Sequence, residues 1–510
     1  MKFTRHSAVN YVVCFSLFFG IMVICRGDNM INNKYYQKCI TFGRAAEGLR
    51  ADFQSQLIEM QKEIGFEYVR FHGIFHDDMA VYKEVYGKPR LWFGYIDKLF
   101  DFLLDKGLKP LLELGFVPTE LATVPNTVFW WKANGCPPND YDKWHFLVKG
   151  TVGHLVERYG LEEVKSWYFE VWNEPNLGSF WRGTQQQYFK LYEVSVDAVK
   201  SVCKDLRVGG PSTSGADFRE NLGYLKAFIR FCEEKKLPVD FFTAHPYPTY
   251  WPLDTDGNEQ MGYMKKEICT EFIDNMKSIV SSSQYADAEI HLTEWNSSPS
   301  PRDLIHDAPF EAPFLLYNIT QNFGKIDSLG YWAFTDIFEE NGPGEEEFHG
   351  GFGLITNSGI KKPSYWAYYF LSLLGDEIAE VSDRHIITKQ GDDYQVIIWN
   401  YCYYTDEFAK GDRSKLTLTD RDNVFESKDE NFKLSIKLDG DYKLTEYTLD
   451  EDTSALHNWV KMGAPKYPTR EEIQTLKQRS QPKTQQSIIS SFDIEVTLKP
   501  HEVKMYILEK

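Results

Sequence analysis

The sequence predicts an α/β protein built as a (β/α)8, or TIM, barrel followed by an antiparallel β-sandwich. From about residue 38 to residue 375, short apolar runs alternate with long amphipathic stretches, and eight such runs can be counted. This alternation is typical of parallel strands joined by helices, and eight strands are the number that closes a barrel. After about residue 376 the period changes to two, as on strands with one buried face. A doubly wound open sheet is the alternative for the first part.

Each predicted barrel strand is a short apolar run bounded by turn residues. The helices predicted between them have apolar residues three and four positions apart, and the longest ends at Gly160, a residue type that often follows a helix. The predicted strands cover residues 39–43, 67–72, 109–114, 167–172, 206–209, 241–245, 289–294 and 330–334. The predicted helices cover residues 51–64, 141–159, 185–202, 221–236, 265–281 and 312–323.

The period-two pattern of the second part is clearest in residues 432–438 and 492–499. Asp439-Gly440 supplies a hairpin turn before a further strand at residues 442–449. We expect the polar segment 450–487 to cover the surface of this domain as a loop with a short helix. No low-complexity linker separates the two parts, so they are expected to pack together.

The N-terminus has the pattern of an export signal. Lys2 and Arg5 precede an almost wholly apolar stretch, residues 8–25, and Gly27 is a small residue suited to a cleavage site. The alternative is a retained membrane anchor, because the stretch approaches the length that spans a bilayer. We therefore expect an exported protein, periplasmic or secreted. The expected parts are a signal peptide at residues 1–27, the barrel at 28–375 and the sandwich at 376–510.

The composition excludes several classes of partner. A net charge of −18 makes the chain a poor ligand for nucleic acid or for an anionic membrane surface.

The cysteines after residue 27 are scattered, with no CxxC pair, so buried free thiols are expected, although export would permit some disulfides. Residues 76–78 (His-Asp-Asp) resemble a metal cluster only weakly, and a solvated loop is the better interpretation. No metal, cofactor or membrane contact is expected, and the sequence leaves open whether the chain forms a homo-oligomer.

Polar residues at the ends of the predicted strands are the candidates for an active site, because barrel sites lie at the carboxyl ends of the strands. Several of them are ionisable side chains that directly follow apolar runs. The candidates are Arg70, His72, Glu113, Asn173, Glu174, His245, Tyr247, Glu294 and Trp332, together with Glu339 and Glu340 in the segment after the eighth strand.

Glu174 and Glu294 are the most informative candidates, because they end the fourth and seventh strands and can face one another across the barrel mouth. Cleaving a glycosidic bond uses such a pair: one carboxylic acid protonates the leaving oxygen, and the other carboxylate supports the reacting carbon. The acid needs a raised pKa, which poor solvation or a neighbouring negative charge provides. Trp172, Trp295 and Trp332 are expected to keep this pocket dry.

Simpler structural roles remain open for other candidates. Arg70 either neutralises a carboxylate inside the barrel, such as Glu113 or Glu170, or orients the nucleophile. The remaining ordinary interpretations are hydrogen-bonded core histidines for His72 and His245, and a surface charge pair for Glu339 and Glu340.

Five segments make the sequence resemble the β-xylosidases of glycoside hydrolase family 39, in a clan of retaining barrel enzymes. They are EVWNEPN, HLTEWNSS, YWAFTDIFEENGP, FHGGFGLIT and GIKKPSYWAYYFL, and the resemblance covers almost the whole chain after the signal. It implies that Glu174 is the general acid/base, that Glu294 is the nucleophile, and that Asn173 holds the substrate 2-hydroxyl. It also implies a hydrogen bond from Tyr247 to Glu294. The residues expected to line the xylose subsite are His72, Asn173, His245, Tyr247, Trp332, Glu339 and Glu340, with Arg70 and Trp295 in supporting positions.

The resemblance implies an exo-acting β-D-xylosidase that releases xylose from xylo-oligosaccharides and needs no cofactor. The same family holds α-L-iduronidases, which bind a sugar carboxylate. Here Tyr247 stands where a lysine would serve iduronate, and the DIFEE segment is rich in carboxylates, so xylose is favoured. Activity on α-L-arabinosides stays open, and so does endo action, which depends on whether the loop with Glu339 and Glu340 closes one end of the cleft. The alternative from another class is a non-catalytic carbohydrate-binding barrel.

Overall fold

The computed structural model of the protein describes residues 30–125, 127–251, 260–337 and 340–510. The signal predicted at residues 1–27 lies outside these residues and stays a prediction. The predicted fold is confirmed: eight parallel strands close into a barrel in sequence order, and antiparallel sheets follow. The barrel strands are β1 (Cys39–Arg44), β2 (Tyr68–His72), β3 (Lys109–Leu114), β4 (Tyr168–Val171), β5 (Arg207–Ser214), β6 (Phe241–His245), β7 (Glu289–Trp295) and β8 (Ser328–Tyr331).

Two barrel strands differ from the prediction. β5 does not stop at residue 209 but continues to Ser214. Residues 209–211 (Gly-Gly-Pro) have the composition of a turn, yet the strand passes through them and bulges at Ser212, whose φ is 56°. β8 covers residues 328–331 rather than 330–334. The extension of β5 matters for the site, because it brings Ser212 to the carboxyl end of the barrel.

Helices fill the connections between the strands. They are α1 (Ala51–Glu63), α2 (Gly94–Asp105), α3 (Tyr141–Tyr159), α4 (Leu161–Val164), α5 (Gln185–Val202), α6 (Ala216–Arg219), α7 (Gly223–Lys235), α8 (Ile268–Ser281), α9 (Glu311–Thr320), α10 (Pro363–Ser372), α11 (Asp406–Ala409), α12 (Ala455–Lys461) and α13 (Arg470–Arg479). The helix α3 has the bounds that the sequence predicts. The Asp140 side chain caps its first turn, and Gly160 follows its end with φ of 88°. The helix α10 was not predicted, since it is apolar and buried on nearly every side and so lacks an amphipathic stripe.

The second domain is a β-sandwich with a seven-stranded and a two-stranded sheet. Phe432 and Phe492 of the smaller sheet pack in one cluster with Val396 and Leu508 of the larger sheet. Residues Met30–Ile31 pair with Glu377–Val381, so the chain contributes to this domain before it enters the barrel. The sandwich strands are β9 (Glu377–Val381), β10 (His385–Gln390), β11 (Asp393–Trp399), β12 (Glu430–Ile436), β13 (Tyr442–Leu449), β14 (Lys483–Ile489), β15 (Phe492–Leu498) and β16 (Val503–Glu509).

The expectation for segment 450–487 is wrong in its detail. The segment forms two helices, α12 and α13, before β14 begins at Lys483. Trp459 and Leu476 of these helices pack against Phe348 and Ile360, which belong to the connection between β8 and α10. The segment therefore covers a loop of the barrel rather than the surface of the sandwich, because its apolar residues face that loop.

Two features concern the expected environment of the chain. The six cysteines of the described residues are free thiols, and five of them are buried, as their scattered spacing predicts. Burial raises the pKa of Cys39 and of Cys269 to about 12, which makes these thiols unreactive. Within the part of the chain that the structure describes, no helix combines the length and the apolar character that crossing a bilayer requires.

Candidate active site

Glu174 is placed by the turn that ends β4. The strand stops at Val171, and the chain leaves it through left-handed backbone conformations, with φ of 74° at Trp172 and 45° at Glu174. The Glu174 N–H donates a hydrogen bond of 2.9 Å to the carbonyl of Ser212 on the neighbouring β5. Glu174 is only 6% exposed, so the turn delivers an ionisable side chain into the barrel mouth rather than to the surface.

Glu294 lies near the end of β7 and is 5% exposed. Tyr247, in the loop after β6, donates a hydrogen bond of 3.0 Å to Glu294 Oε2, as the resemblance implies. One carboxylate oxygen of Glu174, one of Glu294 and a ring nitrogen of His245 all lie within 4.8 Å of one another. The two glutamates, far apart in sequence, therefore form a close buried pair.

Arg70 on β2 is the central cation of the site. Its Nε lies 2.7 Å from Glu170 Oε2, and its Nη2 lies 2.9 Å from both Glu113 Oε2 and Asn173 Oδ1. Its Nη1 contacts Glu294 Oε1. Burial alone would lower the pKa of Arg70, but the surrounding carboxylates raise it, so the guanidinium stays charged. Of the two roles left open by the sequence, the neutralisation of carboxylates inside the barrel holds, and the contact with Glu294 is compatible with the orienting role, which stays a prediction.

Each of the two histidines contacts a glutamate of the pair. His245 Nδ1 lies 2.8 Å from Glu174 Oε1. His72 Nδ1 lies 2.5 Å from Glu113 Oε2, and its Nε2 lies 3.6 Å from Glu294 Oε1. Burial lowers the pKa of His72 to about 3 and the pKa of His245 well below its usual range. Both are neutral hydrogen-bonding groups that position the carboxylates.

The surroundings of Glu174 and of Glu294 shift the pKa values of the two carboxyl groups differently. Burial, reinforced by the negative charge of Glu294, raises the pKa of Glu174 well above its usual range. Burial also raises the pKa of Glu294, but the positive charge of Arg70 opposes that rise. Arg70 contacts Glu294 directly, whereas the partner of Glu174 is the neutral His245. The environment of Glu174 thus favours its protonated form more than the environment of Glu294 does, and Arg70 favours the ionised form of Glu294.

Trp332 and the loop after it close one side of the pocket. Trp332 is 2% exposed, and its ring centroid lies 4.7 Å from that of His72. In the loop, the Glu340 carbonyl accepts a 2.7 Å hydrogen bond from the Trp130 N–H. Burial raises the pKa of Glu340 well above its usual range, which is not the behaviour of a surface charge. Glu339 lies outside the described residues, and its role stays a prediction.

Trp172 and Trp295 are buried, and the expectation that they keep the pocket dry stays a prediction. Trp295 directly follows Glu294, where β7 bulges and its pairing with β8 shifts. The Trp295 ring stacks on Phe314 of α9 at 5.3 Å, which keeps it in a supporting position. The Trp172 ring packs edge-on against Phe116 at 5.2 Å, and the Phe116 ring lies 5.8 Å from that of His72.

Two hydroxyl residues of the site were not predicted. Ser212 Oγ lies 3.0 Å and Thr293 Oγ1 lies 3.1 Å from His245 Nε2. Thr293 also donates a hydrogen bond of 2.8 Å to Glu170 Oε1, which links His245 to the carboxylates around Arg70. A hydroxyl inside the apolar run before Glu294 was the available signal for Thr293.

Glu174, His245 and Glu294 also form a group that could hold a metal ion. The 2.8 Å distance between His245 Nδ1 and Glu174 Oε1 is that of a direct hydrogen bond. The Arg70 guanidinium contacts Glu294, and its charge would repel a cation placed between the glutamates. The arrangement therefore suits proton transfer better than metal binding.

A (β/α)8 barrel with two buried carboxylates at the ends of β4 and β7 has the arrangement that glycosidic bond cleavage requires. The model of the family described as "Glycosyl hydrolases family 39" matches residues 23–496. Two relatives are named β-xylosidase. The Geobacillus stearothermophilus relative is 34% identical over 87% of this chain and 86% of its own, and the Caldicellulosiruptor saccharolyticus relative is 36% identical over 92% and 94%. The chain therefore belongs to glycosyl hydrolase family 39 and is a glycoside hydrolase.

Solved structures agree with this assignment. A GH39 enzyme from Xanthomonas axonopodis pv. citri superposes with a TM-score of 0.86 at 31% identity, covering 94% of this chain and 95% of its own. A structure described as a monomeric β-xylosidase from Caulobacter crescentus CB15 superposes with a TM-score of 0.85 at 31% identity, covering 94% and 97%. The similarity extends over both domains, so the sandwich is part of the shared architecture.

Proposed function

We propose that the protein is a retaining, exo-acting β-D-xylosidase that releases xylose from the non-reducing ends of xylo-oligosaccharides. The observation that carries the proposal is the Glu174–Glu294 pair, whose nearest oxygens lie within 4.8 Å. Retaining glycosidases keep their carboxyl groups about 5–5.5 Å apart, whereas inverting enzymes leave about 6.5–9.5 Å for a water molecule. Similarity to two relatives named β-xylosidase supports the choice of sugar.

The reaction follows from the states of the two glutamates. Glu294 attacks the anomeric carbon while Glu174 gives its proton to the leaving oxygen, which forms a xylosyl–Glu294 ester and frees the aglycone. Glu174 then takes a proton from water, whose oxygen attacks the same carbon and releases xylose with its original configuration. Arg70 binds Asn173 Oδ1, so the Asn173 Nδ2 group is the donor left for the substrate 2-hydroxyl.

The charges of the site favour a neutral pentose over a uronic acid. Arg70, the cation beside the pair, is already bound to Glu113, Glu170 and Glu294. Glu340 adds a further buried carboxyl group near Glu294. A sugar carboxylate beside the pair would meet these acidic groups while Arg70 is already bound to them, and the desolvation of that carboxylate is costly in a buried site. These charges oppose iduronate and do not separate xylosides from α-L-arabinosides.

A bridge between two loops supports exo action. Trp130, in the connection after β3, donates its N–H to the Glu340 carbonyl in the loop after β8. The Trp130 ring also lies against Gly342, where a Cβ atom would come within 3.4 Å of it. Because β3 and β8 are not neighbours in the barrel, the two loops meet across the mouth above β1 and β2. A bridge there closes one side of the cleft, so that a chain enters by its end.

Initial rates on a panel of aryl glycosides test the proposal. The panel contains the β-D-xyloside, α-L-arabinosides, the α-L-iduronide and the β-D-glucoside, and NMR identifies the anomer of the first product. We expect the highest kcat/KM on the β-xyloside, with β-xylose appearing before mutarotation. A first product of inverted configuration, or a preference for the iduronide, would overturn the proposal.

Replacing the proposed acid should discriminate between leaving groups. Glu174→Gln is expected to lower kcat/KM on xylobiose by about 10²–10⁴-fold, because its leaving hydroxyl needs a proton. The same variant should act on 2,4-dinitrophenyl β-xyloside at close to the wild-type rate of bond cleavage, since that leaving group departs as an anion. Single-turnover kinetics on both substrates make the comparison. Equal losses on the two substrates would remove the acid role from Glu174.

The pH dependence of kcat/KM should be bell-shaped. Activity should fall as the pH falls through the lower pKa of the pair, because Glu294 must be ionised to attack. It should also fall as the pH rises through the upper pKa, because Glu174 must carry a proton, and burial raises its pKa. On a substrate whose leaving group still needs the proton, Glu174→Gln should abolish the alkaline fall of the residual activity and keep the acid fall. An alkaline limb unchanged in that variant would assign this titration to another residue.

A further inference from the structure

A second concavity lies at the carboxyl-end face of the barrel, outside the catalytic cleft. Most of its lining comes from the connection between β2 and α2, so we call it the loop-two pocket. Its volume is about 750 Å³, which falls within the range of about 300–1,000 Å³ typical of small-molecule sites. The side chains that matter for its chemistry are Asp77, Met79, Tyr82, Trp92, Tyr95 and Lys98.

Two large aromatic side chains stand exposed at the rim of the loop-two pocket. Trp92 is 49% exposed and Tyr95 is 46% exposed, while Met79 and Tyr82 are buried and form an apolar base. The Trp92 backbone N–H donates a hydrogen bond of 3.0 Å to the Val81 carbonyl, which holds the residue in place. Exposed rings that carry a polar group at one edge suit ligands with both an apolar face and hydrogen-bonding groups.

The polar side chains of the pocket have unused hydrogen-bonding capacity. Lys98 on α2 has no ion-pair partner among the residues the structure describes. Asp77 Oδ1 accepts a hydrogen bond of 3.1 Å from the Thr119 N–H, which leaves Oδ2 for a ligand. An ammonium group needs an acceptor and a carboxylate needs a donor, and a hydroxyl group serves as either. A neutral ligand rich in hydroxyl groups therefore fits Lys98 and Asp77 together better than a simple anion or cation does.

A wall of aromatic rings separates the pocket from the catalytic cleft. Phe129 stacks on His72 at 5.5 Å, and Trp131 stacks on Phe129 at 5.2 Å. The His76 ring then packs edge-on against Trp131 at 4.9 Å, and Asp77 directly follows His76. The pocket thus shares a face of the barrel with the cleft but lies behind this wall, so its occupant would not touch the reacting bond.

We propose that the loop-two pocket binds xylose units of a β-1,4-xylan chain and so holds polymeric substrate on the face where its ends are cleaved. The identity of the sugar rests on the proposed function. Pyranose rings present C–H faces to Trp92 and Tyr95 and hydroxyl groups to Asp77 and Lys98. A protein partner fits less well, because the cores of protein interfaces are depleted in charged side chains, and Lys98 has no ion-pair partner among the described residues.

Single alanine substitutions at the rim test the proposal against matched controls. Trp92→Ala and Tyr95→Ala should each lower kcat/KM on soluble xylan about tenfold, mainly through KM, the order expected for losing one aromatic contact. The same variants should keep kcat and KM on an aryl xyloside within twofold of wild type. Tyr86→Ala, at a fully exposed position outside the pocket lining, is the control and should change neither substrate.

A binding measurement separates this proposal from the proposed function. Xylan in a native gel should slow the migration of the full chain that carries Glu294→Gly. Adding Trp92→Ala to this variant should remove most of that retardation. Unchanged retardation and unchanged xylan kinetics in both rim variants would overturn the proposal. A changed molecular mass by light scattering in the rim variants would also overturn it, by making the pocket an interface between copies of the chain. An enzyme without aryl-xylosidase activity would refute the proposed function instead, and in that case xylan binding that Trp92→Ala removes would still support the pocket.

Discussion

Glu294→Gly is expected to abolish turnover of aryl xylosides, with kcat reduced about 10⁴–10⁶-fold, the range seen when a nucleophile is removed from an active site. The reason is geometric as well as chemical. Arg70 and Tyr247 hold the two oxygens of Glu294, and glycine leaves no carboxylate at that position to form the ester. Steady-state rates on 2,4-dinitrophenyl β-xyloside measure the effect. Azide, which fits the vacated space, should restore part of the rate and give the α-configured xylosyl azide.

Glu289→Gln is the matched control for this experiment. Glu289 begins the same strand, β7, at the end of the barrel opposite the site. Its substitution should leave kcat within a few fold of wild type, because its partners are His291 and Tyr168 rather than the catalytic pair. If Glu294→Gly kept wild-type turnover, Glu294 would not be the nucleophile. A non-catalytic sugar-binding barrel would then become the better interpretation.

Arg70→Met is expected to destabilise the folded protein by about 3–5 kcal/mol near neutral pH, the cost of leaving buried charges without their partner. Glu113, Glu170 and Glu294 all contact the Arg70 guanidinium, and the first two are fully buried. Methionine keeps much of the volume, so the loss reports the missing charge more than a cavity. Activity should fall as well, because Glu294 would then hold a proton at pH values where it must be ionised.

The pH dependence of this destabilisation distinguishes the loss of a charge from the loss of packing. Without Arg70, the buried carboxylates have folded-state pKa values above their unfolded values, so the folded state binds more protons than the unfolded state. The difference in free energy of unfolding between wild type and variant should therefore narrow as the pH falls. Urea unfolding at several pH values measures it. Arg158→Met, at an exposed arginine paired with Asp101, is the control and should change the free energy of unfolding little at any pH, because exposed ion pairs contribute little to stability. A constant difference across pH would mean that Arg70 acts by packing alone.

Much of this architecture was predictable from the sequence because its barrel is regular. Six of the barrel strands follow their apolar runs to within about one residue, and α3 follows its caps and its amphipathic stripe. The full length of β5 was not predictable, because its Gly-Gly-Pro segment has turn composition while pairing with β6 keeps it extended. In segment 450–487 only one short helix was expected, whereas the two helices α12 and α13 form, and the reason is different. Their few apolar residues face a loop of the barrel, which no local pattern reveals.

In the site, too, some residues were predictable from the local sequence, and others depend on tertiary contacts. Strand ends identified Glu174 and Glu294, because the carboxyl end of every barrel strand reaches the same face. Nothing local decides that Arg70 binds three carboxylates at once, since those carboxylates come from three other strands. The role of Thr293 was missed because β7 bulges beside it, so that Thr293 and its neighbour Glu294 both face the site. Strict alternation along the strand would have placed them on opposite faces.

Trapping the covalent intermediate tests the central claim most directly. A 2-deoxy-2-fluoroxylosyl fluoride should inactivate the enzyme, because the 2-fluorine slows both formation and breakdown of the ester, whereas the reactive fluoride leaving group speeds only its formation. Peptide mapping by mass spectrometry should then place one fluoroxylosyl group on Glu294, and Glu294→Gly should stay unlabelled. A label on any other residue, or steady turnover without inactivation and with an inverted product, would contradict the double displacement at Glu174 and Glu294.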